Sequence, residues 1–189
     1  MVRILSTEDK ILKVALELFS KYGYSGVSTK QIARESSVNE VTIFRKFESK
    51  SNLFQQVITR YAKEGNVIEK LKSELTGDLE RDLVIFGISF YKFLLNNELM
   101  YKLQVKQVDE EAMKFTNSLK YKNFFSDYLK KSKKLGNFSG DPEKVAILFI
   151  STIMGLFTFR VFTGDMIEDM DIEEVIQEEA EKIIKYYLV

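Results

Sequence analysis

From Ser6 onward the apolar positions recur at helical spacing. Ile11, Leu12, Ala15, Leu18, Phe19 and Tyr22 share one face, Ser6 or Thr7 supplies the N-cap, and Gly23 and Gly26 close the run. The next start is more fully specified. Ser28 as N-cap with Gln31 three residues on makes a capping box, and Val27 and Ile32 stand where a hydrophobic staple needs them. That helix lasts about two turns, to Glu35, before Ser36, Ser37 and Val38 interrupt it. Asn39 then caps a third short helix, with Val38 and Ile43 as its staple. Two short helices separated by a three-residue turn are the helix-turn-helix pattern.

Ser49 caps a fourth helix with Leu53, Val57 and Tyr61 on one face. Gly65 to Gly77 carries no clear period, so the domain boundary is expected within the long connecting helix. Later helices are expected at about residues 78–96, 98–107, 109–135, 141–163 and 171–187, giving about nine in all. Asp141 as N-cap and Pro142 at N1 mark one start sharply. The last helix places Ile172, Val175, Ile176, Ala180, Ile183, Ile184 and Tyr187 on a single stripe.

Composition strengthens the all-α reading, because one proline and nine glycines in 189 residues leave too few turn residues for an all-β fold. It also removes chemistry. The absence of cysteine excludes disulfides, thiolate zinc sites and a cysteine nucleophile, and the absence of histidine removes the commonest general base and transition-metal ligand. No paired catalytic arrangement stands out, so no enzyme activity, cofactor or metal is expected. The N-terminal segment lacks the apolar stretch of a secretory signal, and the longest uncharged run, Val145 to Phe159, is shorter than the ~20 residues that span a bilayer. A buried helix and a cytoplasmic protein without a membrane are expected.

Net charge is zero but unevenly divided. Residues 1–60 hold ten Lys/Arg and six Asp/Glu, a balance of +4, which leaves 28 − 10 = 18 against 28 − 6 = 22, or −4, for the rest. A basic head on an acidic body fits a protein that presents one end to phosphate. The free amides at the start of the second helix, with the Ser28 and Thr29 hydroxyls, and Lys50 at the start of the fourth are suited to positioning a duplex. Residues 39–46 are those able to reach base edges: Thr42 through its hydroxyl and methyl, Glu40 by accepting from a cytosine amino group, Arg45 by pairing with guanine or holding phosphate.

The run Gly23-Tyr24-Ser25-Gly26-Val27-Ser28-Thr29-Lys30-Gln31-Ile32-Ala33, followed by Val38-Asn39-Glu40-Val41-Thr42-Ile43-Phe44-Arg45-Lys46-Phe47-Glu48-Ser49-Lys50-Ser51-Asn52-Leu53, resembles the DNA-binding signature of the TetR family of transcriptional regulators. The resemblance implies DNA-facing positions at Lys30, Glu40, Val41, Thr42, Phe44 and Lys46, and a head core at Ile32, Ala33, Val38, Ile43 and Phe47. Two positions depart from the family pattern: Ser37 stands where a turn glycine is common, and Phe44 where a tyrosine is usual. Double-stranded operator DNA is the expected partner. The expected fold is an N-terminal three-helix head, residues 1–48, with a larger helical effector-binding and dimerisation domain at residues 49–189.

Within that body, Val145 to Phe159 is apolar all round, more than one subunit of this size covers easily. With the striped last helix it points to a two-fold, four-helix interface, which the resemblance also implies, and Gly155 would allow close approach. A homodimer would set its recognition helices about 34 Å apart, against a pseudo-palindromic operator. Phe86, Phe90 and Phe93 follow i, i+4, i+7 spacing, and Phe115, Phe125 and Phe157 add to an aromatic-rich body. The plainer reading of these residues is core. The resemblance raises a second, a cavity for a flat or long apolar effector, with Met100 and Met154 as adaptable wall. The family's mechanism would make this a repressor released by its effector. A helical carrier of hydrophobic ligands that no longer binds DNA is the competing function.

Overall fold

The computed structural model describes residues 6–62, 67–106, 117–164 and 170–189. The side chains of residues 62, 67, 117 and 118 are not part of that description. Among the described residues the chain forms ten α-helices and no strand beyond an isolated antiparallel bridge between Phe138 and Leu188. The helices are α1 (Thr7–Tyr22), α2 (Thr29–Glu35), α3 (Glu40–Phe47), α4 (Lys50–Ala62), α5 (Val67–Glu74), α6 (Leu79–Asn96), α7 (Glu98–Lys106), α8 (Asn117–Lys134), α9 (Pro142–Thr163) and α10 (Ile172–Tyr187). The expected all-α fold is present. The count is ten and not nine because the Gly65 to Gly77 stretch holds α5, whose Leu71 is buried. Residues 109–116 of the expected seventh helix lie outside the described residues.

The chain divides into two compact units. The first comprises residues 1–64 and 97–116, so it is larger than the expected 1–48 head. The reason is packing. Leu53, Phe54, Val57 and Ile58 of α4, and Met100 and Leu103 of α7, join Ile11, Phe19, Ile32, Ile43 and Phe47 in one buried cluster. On α1 the inward face takes Leu16, while Leu18 is half-buried and Tyr22 exposed. Phe19, Tyr24 and Phe54 meet edge-on or tilted at centroid distances of 5.0–5.8 Å.

The second unit comprises residues 65–96 and 117–189. α6 is its axis, flanked by α9 and α10, and α8 packs against α9. The three helices α6, α9 and α10 approach closely at Gly87. A Cβ there would stand 2.4 Å from Ile176 Cγ2 and 2.9 Å from Phe149 Cζ. Asp82, in the first turn of α6, is buried and accepts four hydrogen bonds: from Thr76 N at 2.7 Å, Thr76 Oγ1 at 2.9 Å, Gly77 N at 2.9 Å and Tyr128 Oη at 2.5 Å. Burial alone would raise its pKa, but these bonds outweigh it and hold the carboxyl below the ordinary aspartate value. Asp82 thereby ties the α5–α6 turn to α8.

Candidate nucleic-acid interface

The helix-turn-helix is built by the caps that the sequence specifies. Ser28 Oγ accepts from Gln31 N at 3.1 Å to start α2, and Asn39 Oδ1 accepts from Val41 N at 2.9 Å to start α3. The staple residues Val27, Ile32 and Ile43 are buried, and Val38 is packed against the same core. Between the helices, Ser36 is buried with its hydroxyl donated to Ile32 O at 2.6 Å, and Val38 N donates to Ala33 O at 2.9 Å. The turn needs one left-handed residue and takes it at Ser37, with φ 56°. A second left-handed residue, Glu48 at φ 63°, ends α3 and lets Ser49 cap α4 by accepting from Asn52 N at 3.1 Å.

These turns present α3 with two distinct sides. Ile43 and Phe47 are fully buried, while Val41, at 70% exposure, Phe44, Arg45 and Lys46 face outward and Thr42 is half-buried. Ser28, Lys30 and Asn39 are exposed as well. Four of the sequence candidates, Lys46, Lys50, Thr29 and Glu40, are engaged in ways their positions did not disclose. Lys46 Nζ lies 3.6 Å from Glu8 Oε2 on α1. Lys50 Nζ sits 4.2 Å from the centroid of the Tyr24 ring, a cation–π contact that fixes the ammonium at the start of α4. The Thr29 hydroxyl donates to Glu40 Oε1 at 2.7 Å, joining the first residues of α2 and α3. Tyr24 and Glu8 are thus neighbours of the candidate residues that helical periodicity could not single out. Arg60 Nη2, 3.0 Å from Asp9 Oδ1, adds a further tie between α4 and α1.

The residues considered for an effector wall are dispersed. Phe86, Phe90, Phe93, Phe125 and Phe157 are buried in the second unit, and Met154 is half-buried there. Met100 packs instead in the core of the first unit. Phe115 lies outside the described residues. Around Tyr121 the rings are tightly set, with Phe90 at 4.7 Å, Phe93 at 5.2 Å and Phe86 at 5.9 Å between centroids. Among the described residues the buried Tyr121 hydroxyl has no hydrogen-bond partner. Burial pushes its pKa up to about 12, and the Ser89 hydroxyl tempers the rise without reaching hydrogen-bonding geometry. An open groove of about 460 Å³ lies between the first turns of α6 and the end of α10, lined by residues such as Arg81, Ile85, Glu181 and Ile184. None of the wall candidates lines that groove.

Three comparisons bear on this architecture. The family model described as bacterial regulatory proteins, tetR family, matches residues 11–57. Over 187 residues the chain is 28% identical to an uncharacterised HTH-type transcriptional regulator, YvkB of Bacillus subtilis, covering 95% of this chain and 96% of that protein. It is 35% identical over 88 residues to the HTH-type transcriptional repressor NicS of Pseudomonas putida, which covers 45% of this chain and 42% of that one. In structure it is similar to a TetR transcriptional regulator from Agrobacterium tumefaciens, with a TM-score of 0.75 at 15% identity over 97% of this chain and 94% of that one.

Proposed function

We propose that this chain, which belongs to the TetR family of transcriptional regulators, is a cytoplasmic repressor that binds a pseudo-palindromic operator as a homodimer and releases it on binding an apolar or amphipathic effector. The observation that carries the DNA-binding part is the two-sidedness of α3: a sealed inner face of Ile43 and Phe47, and an outer face of Val41, Thr42, Phe44 and Arg45. An eight-residue helix with its apolar anchors fully buried holds those outer side chains in fixed register, which major-groove reading requires. Residues 1–48 form the reading segment, and within residues 49–189 dimerisation and effector binding are assigned to the part that lies in the second unit. The name of the Pseudomonas relative supports repression as the direction of control.

The dimer reading rests on α9. Six of its residues are buried inside this subunit, Val145, Ala146, Phe149, Ile150, Ile153 and Phe157. Its other side leaves Leu148, Thr152, Gly155, Phe159 and Phe162 at steps of four, three, four and three, the spacing of a helix–helix seam. Leu148 and Phe159 are 66% and 63% exposed, and nothing stands within 4 Å of where a Gly155 Cβ would be. α9 is also long and apolar enough, by length and composition, to cross a membrane. The inner half of the helix is already packed on protein and the outer seam has a helix-pairing period, so a second copy suits it better than lipid.

The effector is assigned to the aromatic cluster of Phe86, Phe90, Phe93 and Phe125 with Tyr121, together with Phe157 and the half-buried Met154 of the same unit. The buried, unpartnered Tyr121 hydroxyl gives that cluster a polar handle. Met100 is left out because its side chain belongs to the first unit's core. Effector binding acts by population shift, and a coupling of about 1–3 kcal/mol would lower operator affinity roughly five- to 150-fold.

The test is a titration of the purified protein against duplex DNA from immediately upstream of its own gene, at physiological salt with excess nonspecific competitor. Competitor-resistant binding supports the reading and supplies the assay for effectors. If that duplex fails and selection from random duplexes also enriches nothing, the DNA-binding reading falls.

A further inference from the structure

Thr29 and Glu40 are eleven residues apart and on different helices, yet their side chains share a part-buried hydrogen bond of 2.7 Å, Thr29 Oγ1 donating to Glu40 Oε1. Both stand among the residues assigned to the duplex. A threonine hydroxyl has one proton to donate. Given to Glu40, it is not available to a phosphate oxygen, and the carboxylate that receives it would repel a phosphate brought to the same place. Among the described residues no cation pairs with Glu40. As a backbone clamp the pair is badly made.

As a base reader it is well made. An ionised carboxylate only accepts hydrogen bonds. In the major groove cytosine offers its N4 amino donor, whereas guanine offers the acceptors O6 and N7 and thymine offers the acceptor O4 beside a methyl group; adenine's amino donor is flanked by the acceptor N7. The bond from Thr29 holds one oxygen of Glu40, leaves Oε2 for a partner, and removes in advance some of the rotamer freedom that a glutamate loses on binding.

We propose that Glu40, positioned by Thr29, selects cytosine at one base pair of each half-site and rejects guanine and thymine there, and that Thr29 is a positioning residue for this contact and not a phosphate contact. The proposal rests on the DNA-binding reading above.

The experiment is selection from a duplex library randomised across the site, run with the wild-type protein, Glu40→Gln and Thr29→Val, followed by titrations of the selected duplex and of random duplex. Wild type should enrich one cytosine per half-site and discriminate about tenfold against guanine at that position. Glu40→Gln should keep the rest of the consensus, lose the cytosine or exchange it for adenine, and bind random duplex several-fold more tightly because a negative charge has left the interface. Thr29→Val should erode discrimination at that one position by a larger factor than it changes affinity for random duplex. A consensus in which Glu40→Gln changes no position overturns the role of Glu40. A uniform loss across all sequences in Thr29→Val makes Thr29 a phosphate contact and overturns its positioning role. No enrichment by wild type removes the DNA-binding reading and this proposal together.

Discussion

Exposed apolar side chains occur in both units, and they mean different things. On α3, Val41 and Phe44 are exposed among Thr42, Arg45 and Lys46, a small apolar surface interleaved with polar and charged groups. On α9, Leu148, Phe159 and Phe162 form a continuous seam with Thr152 and Gly155, with no charged residue on it. The first arrangement suits a groove whose floor alternates methyl groups with hydrogen-bonding edges. The second suits another helix of the same kind. Exposure alone separates neither from an ordinary surface; the neighbours of the exposed residue do.

The largest effect should come from a charge in that seam. Leu148→Glu leaves the subunit's own core untouched because the side chain is already outside it. In a dimer it would place an unpaired carboxylate on each side of the interface, at about 3–5 kcal/mol apiece. If the proposed dimer forms through α9, sedimentation should show the variant as monomer and wild type as dimer, with helical content unchanged and operator affinity falling in parallel. A variant that stays dimeric would move the interface off α9. Next in size is Gly87→Ala, which acts on the inner side of the same unit. Its methyl would collide with Ile176 and Phe149 and should cost about 1–3 kcal/mol, read as a lower denaturation midpoint with an unchanged slope. The two variants should divide cleanly, one altering assembly and the other stability.

Tyr121→Phe is expected to act in the opposite direction. A buried hydroxyl without a partner carries a desolvation penalty, and removing it should raise stability by about 1 kcal/mol in the ligand-free protein. The pH dependence gives a second readout. Because the folded-state pKa is raised from 10 to about 12, the neutral hydroxyl's advantage is complete below pH 10 and is lost as pH rises toward 12. Wild type should therefore lose stability across that window, and Tyr121→Phe should lose less of it. A destabilised Phe variant would mean that the hydroxyl has a partner in solution.

The head was largely legible in the sequence because its determinants are local. Ser28, Asn39 and Ser49 are all caps where their spacing puts them, as is Asp141 in the second unit, since a cap and the amide it serves are two or three residues apart. α5 was missed because eight residues between glycines offer too little periodicity. Candidate residues for the site could be named from the sequence, but not the contacts that wire them together. Nothing in the spacing connects Thr29 to Glu40, Lys46 to Glu8 or Lys50 to Tyr24, because each pair is made by the packing of separate helices. The body was harder still. Asp82 reads as a first-turn acid until Thr76, Gly77 and Tyr128 are brought to it, and Met100 reads as body until α7 packs into the first unit.

The smallest effect tests the turn that presents the exposed side of α3 in the first unit. Ser37 holds φ at 56°, a conformation that costs a side-chain-bearing residue about 1–2 kcal/mol and costs glycine no steric energy. Glycine has more unfolded-state freedom to lose, about 0.5–1 kcal/mol, so Ser37→Gly should gain a net of about 0.5–1 kcal/mol. Ser37 is exposed and the turn's buried hydroxyl belongs to Ser36, so no hydrogen bond of the turn is forfeited. Thermal unfolding of the first unit should shift up by a few degrees, with the selected DNA consensus unchanged. A loss of DNA affinity without a loss of stability would show that Ser37 itself reaches the duplex and that the turn contributes contacts as well as geometry.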